Sequence, residues 1–338
     1  MTNVVAFGGG HGLATILRGL RLLRDPLGLD ITAVVTVGDN GGSSGRLRAE
    51  RGGLPPGDLR QALAALIDPD DQVGVAAAGV LQYRFGGAAP LAGHAMGNLL
   101  LCALMEQSGD PVAALELAGT LMRAGGRVLP MSRTPVDIEA TVRGADPGRP
   151  GDVLAVRGQH AVAVTPGEVL SVRLAPPRPQ ACAEAVEAVR AADWLLFGPG
   201  SWYTSVIPHL LVPQLAEAIM ASPAQRLVTL NLRAEDETSG LSLPDHLRAL
   251  GRYLPGLRAD VVLADVNAIG DPAGLRVAAE SLGARVVSAA VAVADGSPRH
   301  NPDALAQALR SVLATQPAPE QAATVQDQEP IGQKAPAR

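Results

Sequence analysis

The chain is almost without lysine. Lys334 is the only one, so arginine supplies nearly all of the 28 positive charges. That skew fits a GC-rich genome, and it means that an isolated arginine carries no functional weight by itself. The formal net charge of −5 argues against a general nucleic-acid binder, which needs a basic face for the phosphates. Aromatic residues make up only 2% of the chain, so the core must be built from leucine, valine and alanine. Their scarcity makes their positions informative: Tyr83 and Phe85 lie close together, and Phe197, Trp202 and Tyr203 flank a glycine-rich segment. Core filling and ligand lining are both open for these rings. The two cysteines, Cys102 and Cys182, are too few and too far apart for a metal motif or a disulfide framework. No apolar run reaches the ~18 residues of a membrane span. No charged leader with a cleavage site precedes the first strand-like run. A cytoplasmic, reduced protein without membrane insertion is expected. Also missing are a Ser/His/Asp set, a nucleophilic cysteine pairing and metal-ligand spacing. His160, His209, His246 and His300 have no partners at such spacing, so no metal site is assigned and the catalytic residues stay unknown.

What the chain does have is glycine, 38 residues of it, concentrated where strand-like runs end. Gly8-Gly9-Gly10-His11-Gly12 follows Val4–Phe7. Asp39-Asn40-Gly41-Gly42-Ser43-Ser44-Gly45-Arg46 follows Ile31–Val37. Gly198-Pro199-Gly200-Ser201 follows Trp194–Phe197. Loops at the carboxyl ends of parallel strands open onto one crevice, where ligands bind in such folds. Glycine lets the backbone approach a phosphate, and free N–H groups there accept its charge.

Strand-like and helix-like stretches alternate, which predicts an α/β fold: layers of helix about a mainly parallel sheet. Strands are expected at 3–7, 31–37, 193–197, 226–231, 260–264 and 285–293. Helices are expected at 13–24, 59–66, 73–86, 95–107, 111–124, 180–191, 206–221, 243–251, 272–281 and 302–314. Residues 127–174 break the pattern. Val136–Val142 alternates with period two, and short candidate strands follow at 153–156, 160–164 and 168–174, giving a small antiparallel, β-rich insertion. The expected organisation is one domain over 1–315. Residues 316–338 carry no apolar periodicity and suit a disordered tail.

The first glycine segment lacks both the Gly-x-Gly-x-x-Gly fingerprint and a Walker lysine. Strand, glycine loop and helix still place a phosphate at a helix N-terminus, and His11 is the best placed histidine for a ligand. In the second segment Asp39 ends the strand where a ribose-binding acid would sit. The following glycines, Ser43, Ser44 and Arg46 add donors suited to phosphate. Asp58 suits a helix N-cap; with Asp39 it could alternatively hold Mg²⁺ beside the phosphates. His94 and Asn98 share a helix face, and either contact ligand or satisfy buried backbone. Gly200, Ser201 and Tyr203 offer anion or stacking contacts. Asn231 and Asn267 fall near later strand ends and could line the same crevice.

Five motifs occur in order: Gly8–Leu13, Val35–Arg48, Pro55–Arg60, Gly93–Leu99 and Gly198–Pro208. Together they closely resemble the bacterial gluconeogenesis-factor family, related to the 2-phospho-L-lactate transferases of coenzyme F420 synthesis. The resemblance covers about residues 3–314 and is nearest to actinobacterial members, which carry His in the first loop. It implies a Rossmann-like domain that binds UDP-sugars, notably UDP-N-acetylglucosamine, and supports cell shape and wall synthesis on gluconeogenic carbon sources. The implied partners are that nucleotide sugar, a homo-oligomer and proteins of cell-wall synthesis, with no nucleic acid. No cofactor is required on this reading. The transferase branch moves phospholactate from a nucleotide donor to a deazaflavin with Mg²⁺. Carried over, ligand binding falls on Gly9, Gly10, His11, Asp39, Asn40, Gly41 to Ser44, Asn231 and Arg299. The family usually has Ala-Asp-Asp where this chain has Gly38-Asp39-Asn40. The lost carboxylate weakens a two-carboxylate metal site and leaves nucleotide binding intact.

Overall fold

The computed structural model describes residues 1–314; the tail expectation for 316–338 lies outside the described residues. The chain opens with β1 (Thr2–Gly8), α1 (Gly10–Leu27) and β2 (Leu29–Val35), followed by five helices: α2 (Gly42–Arg51), α3 (Pro56–Ala65), α4 (Gln72–Gln82), α5 (Met96–Ser108) and α6 (Pro111–Leu121). Then come β3 (Arg127–Pro130), β4 (Asp137–Arg143), β5 (Val153–Arg157), α7 (Gln159–Ala163), β6 (Glu168–Ala175), α8 (Ala183–Arg190) and β7 (Trp194–Phe197). One π-helical turn, Trp202–Val206, leads into α9 (Ile207–Leu210) and α10 (Pro213–Ala221). The remainder is β8 (Gln225–Thr229), α11 (Leu243–Tyr253), β9 (Val261–Asp265), α12 (Pro272–Ser281), β10 (Arg285–Ala289) and α13 (Pro302–Leu313).

Seven strands form one parallel sheet in the order β10-β9-β8-β7-β1-β2-β3. The central strands are apolar on both faces, as helices on both sides require; Val4 to Phe7 and Leu195 to Phe197 are buried throughout. In α1, Leu13, Ile16, Leu17, Leu20 and Leu23 face the core, and Gly28 ends the helix in the left-handed region at φ 60°. The ring of Phe7 stacks on Phe197 with centroids 5.0 Å apart, and His209 meets Phe7 edge-on. His209 sits between the carbonyl oxygens of Val206 and Val34. Burial outweighs both carbonyls and lowers its pKa to about 4, so it is a neutral core residue. The chain runs outward from β1 to β3, then returns at β7 on the other side of β1. The loops after β1 and β7 therefore flank the switch point, where ligands bind in open α/β sheets.

The β-rich insertion is a second sheet, antiparallel, in the order β5-β4-β6. Several local expectations change. Residues 127–130 pair in parallel with β2 as the edge of the main sheet. The stretch 160–164 lies in the helical turn α7 rather than a strand. The helix expected over 206–221 is split, because Pro213 restarts it. The helix expected over 73–86 stops at Gln82, where Arg84 bridges to Ala95.

Candidate functional site

The glycine segments after β1, β2 and β7 meet at the carboxyl edge of the sheet. A Cβ on Gly12 would stand 2.2 Å from the carbonyl oxygen of Pro199 and 2.5 Å from the Cα of Gly200, so the first and third segments are in backbone contact. A Cβ on Gly9 would lie 2.5 Å from both Asp58 Oδ2 and Thr36 Oγ1, and 3.3 Å from Ser205 Oγ. These approaches require glycine and bring four chain segments to one point. Neither α1 nor α2 has a side-chain cap at its N-terminus, whereas α4, α6, α11, α12 and α13 do. The same lack is shared by α3, α5, α7, α8, α9 and α10, and the Gly10 N–H is taken by Asp58, so what the starts of α1 and α2 offer an anion is the positive end of each helix dipole.

Asp58 is the centre of the electrostatics. It is not the N-cap of α3, a place held by Pro55. It lies within the first turn of α3 and is buried, because that turn packs against the end of β2. Asp58 accepts hydrogen bonds from Thr36 Oγ1 (3.3 Å), the Gly10 N–H and the Gln159 amide. Burial comes first, and the negative charge of Asp39 second, in raising its pKa to about 7. Asp39 holds the Gly41 N–H at 2.9 Å. Asn40 ties the insertion to this loop: its Oδ1 accepts the His160 N–H at 3.0 Å, and its side chain packs against Gly158. That tie delivers Gln159 to Asp58, with Gln159 Oε1 buried and unpartnered.

The second segment is a loop only as far as Gly41; Gly42, Ser43 and Ser44 begin α2 and both serines are buried. Ser43 Oγ contacts His94 Nδ1 at 3.0 Å and accepts the Asn98 amide at 3.0 Å, while Arg60 donates to Asn98 Oδ1 at 2.8 Å. This network braces α2 against α5. Burial, then nearby Arg46, lowers the His94 pKa, favouring the neutral ring. Arg46 turns away to the Ala92 carbonyl. His11 is exposed on the first turn of α1.

In the third segment, Asn231 clamps Gly200 through both its N–H and its carbonyl, each at 2.9 Å. Ser201 donates to Glu235 at 2.6 Å. The Tyr203 N–H donates to Glu237 at 2.8 Å, and its ring is buried 6.3 Å from that of Tyr253. Glu237 is buried with Oε2 unpartnered, and burial is the main cause raising its pKa to about 7. His300 contacts the Leu230 carbonyl beside Asn231, which brings the neighbouring Arg299 to this side of the crevice. Its side chain pairs with Asp295 at 2.7 Å on an exposed loop. Asn267 is exposed, its N–H bonded to Asp265.

Sequence reasoning missed Thr36, Gln159 and Glu237. Thr36 had a signal, a hydroxyl at the exit of an otherwise apolar strand. Gln159 had none, since it reaches Asp58 from about 100 residues away along the chain. Two surface hollows, about 370 Å³ beside α12 and β10 and about 470 Å³ near Met1 and Arg127, lie elsewhere and hold none of the three segments.

The family described as 2-phospho-L-lactate transferase CofD matches residues 4–292. A Mycobacterium tuberculosis protein whose name includes gluconeogenesis factor is 48% identical over 316 residues, covering 92% of this chain and 90% of the relative. The gluconeogenesis factor of Bacillus subtilis is 35% identical over 270 residues, 80% of each chain. A crystal structure of a Bacillus halodurans protein superposes with a TM-score of 0.79 at 33% identity, covering 91% of this chain and 98% of the other. The chain belongs to the CofD family, among relatives that carry the name gluconeogenesis factor.

Proposed function

We propose that this chain is a UDP-sugar-binding regulator, with UDP-N-acetylglucosamine as its ligand, acting in the cytoplasm on cell shape and cell-wall precursor supply during growth on gluconeogenic carbon. The supporting observation is the backbone contact of the first and third glycine segments, with Thr36 and Asp58 packed on Gly9, and Asp39 and Ser44 of the second segment packed on the neighbouring Gly57. A diphosphate there would meet main-chain N–H donors and two helix dipoles at once. Arg299, on the neighbouring loop, would leave Asp295 to meet the ligand. Isothermal titration with UDP-N-acetylglucosamine should show saturable heat, and Arg299→Ala should weaken binding about tenfold or more, as loss of a charge-assisted contact does. No heat up to ~1 mM ligand, an affinity worth only about −4 kcal/mol, defeats the reading.

The Asp39 and Asp58 pair favours a second reading, a transferase with a nucleotide-activated donor. Among the described residues no three His, Cys, Asp or Glu side chains gather at one metal-sized point. Asp39 and Asp58, close enough for the charge of one to raise the pKa of the other, would supply two carboxylate ligands to Mg²⁺ completed by water and phosphate. The ion would neutralise diphosphate charge, and Thr36, Gly10 and Gln159 would keep Asp58 oriented. Product analysis after incubation with Mg²⁺, a deazaflavin and guanylyl phospholactate separates the readings: a deazaflavin phospholactate product favours the transferase.

A further inference from the structure

On α2, Arg48 and Arg51 each meet a carboxylate, that of Asp137 and that of Glu106. Arg46 on the same helix meets none among the described residues; its guanidinium donates to the Ala92 carbonyl at 2.8 Å. Arg84 likewise has only a carbonyl, that of Gly93. Backbone bonds between residues 83–85 and 93–96 close the loop between them and fix Arg84 in place. Adjacent carbonyls thus draw the two guanidiniums together. Arg60 is the third. It is only 5% exposed, and its bonds go to the neutral amides of Asn98 and Gln82. Burial first, and the charge of Arg84 second, lower its pKa, against a smaller opposite effect of Asp58 and Asp39. A buried guanidinium normally has a partner of opposite charge. Here three stand together, and no carboxylate is bonded to any of them among the described residues.

We propose that Arg46, Arg60 and Arg84 form a subsite for the phosphate of a small monoester, beside the crevice and separate from the nucleotide. Guanidinium forks match phosphate oxygens and hold them in pairs. A monoester carries nearly two negative charges at neutral pH, so it offsets more of the cluster than a carboxylate does. Arg60 Nη2 makes no hydrogen bond among the described residues and is not closed off from solvent, which leaves donors for a ligand. The carboxylates facing the cluster are Glu50, near His94, and Asp39 and Asp58, on the crevice side of Arg60. The subsite adjoins the second glycine segment, because Asn98 bonds both Arg60 and Ser43. That the phosphate is not the nucleotide's rests on the function proposed above: a UDP-sugar has no anion besides its diphosphate, which the glycine segments take. The crevice then holds two ligands side by side, a nucleotide sugar and a phosphorylated co-ligand.

The probe is inorganic phosphate, added to the full chain in place of chloride at equal ionic strength. At about 10 mM it should raise the melting temperature by about 2–3 °C, as a ligand with a Kd of about 1 mM does. Arg46→Ala and Arg84→Ala, both at exposed side chains, should each weaken phosphate binding about tenfold and remove most of that rise. Arg24→Ala, at an exposed arginine near the end of α1, should leave the rise intact. Saturating UDP-N-acetylglucosamine should leave it in place as well. No rise beyond that in chloride, a rise that survives both substitutions, or displacement of phosphate by the nucleotide sugar overturns the proposal. A rise that depends on Arg46 and Arg84, in a chain that gives no heat with UDP-N-acetylglucosamine, upholds the subsite while the nucleotide reading fails.

Discussion

Replacing Asp58 by Asn should stabilise the fold at alkaline pH and not at acidic pH. The carboxyl is raised from an ordinary 3.8 to about 7, first by burial and then by the charge of Asp39. A raised carboxyl pKa means that the folded state holds its proton more tightly than the unfolded chain. The contribution to stability is whole below about pH 4, erodes as the unfolded chain ionises, and is exhausted once pH passes about 7. The erosion amounts to about 4 kcal/mol at full ionisation. Asn is neutral at every pH and escapes it, but it gives up one acceptor among the bonds from Thr36, Gly10 and Gln159, a loss of about 1 kcal/mol. A net gain of about 2–3 kcal/mol at pH 8 follows, a rise in Tm of about 3–5 °C for a fold this size. At pH 5 the carboxyl is already protonated in the fold, the erosion is below about 2 kcal/mol, and the gain should nearly vanish. Thermal melts followed by circular dichroism at the two pH values measure both. Equal shifts at pH 5 and pH 8, or a loss at pH 8 with the fold intact, would refute the reasoning, since the buried charge would then not be what the native state is strained to hold.

Glu237→Gln should behave the same way on a smaller scale, because burial raises this carboxyl to about 7 from 4.5; melts at pH 8 should rise by about 2–3 °C, and a fall there would show that the ionised form has a compensating cation. Gly12→Ala should cost more than about 2 kcal/mol in urea denaturation, since the new methyl meets the backbone of Pro199 and Gly200 rather than a movable side chain. Gly79→Ala, which meets nothing within 4 Å, is its control and should gain about 0.5–1 kcal/mol; equal tolerance at both positions would mean that the first and third segments do not pack as described.

The main sheet was legible because its strands are continuous apolar runs followed by glycine, and a doubly covered parallel strand can hardly look otherwise. The five ordered motifs added the family. Local chemistry misled where two states compete for the same residues. Gly42-Ser43-Ser44 has loop composition, but the first turn of a helix takes small residues equally well when the serine hydroxyls find buried partners, here His94 and Asn98 for Ser43. Asp58 looked like a cap because capping depends on type and position, whereas burial depends on where α3 docks. Short apolar runs such as His160–Val164 suit a strand or a helical turn, and only the tether from Asn40 decides between them. That tether also bears on the family departure at Asn40. Asp at this position would keep an oxygen acceptor for the His160 N–H, so the bond itself does not demand Asn. It would also add a third negative charge beside Asp39 and Asp58, raising the cost of ionising Asp58 further. Asn thus holds the insertion on the second loop, and keeps Gln159 against Asp58, without deepening the repulsion that the proposed diphosphate would have to overcome.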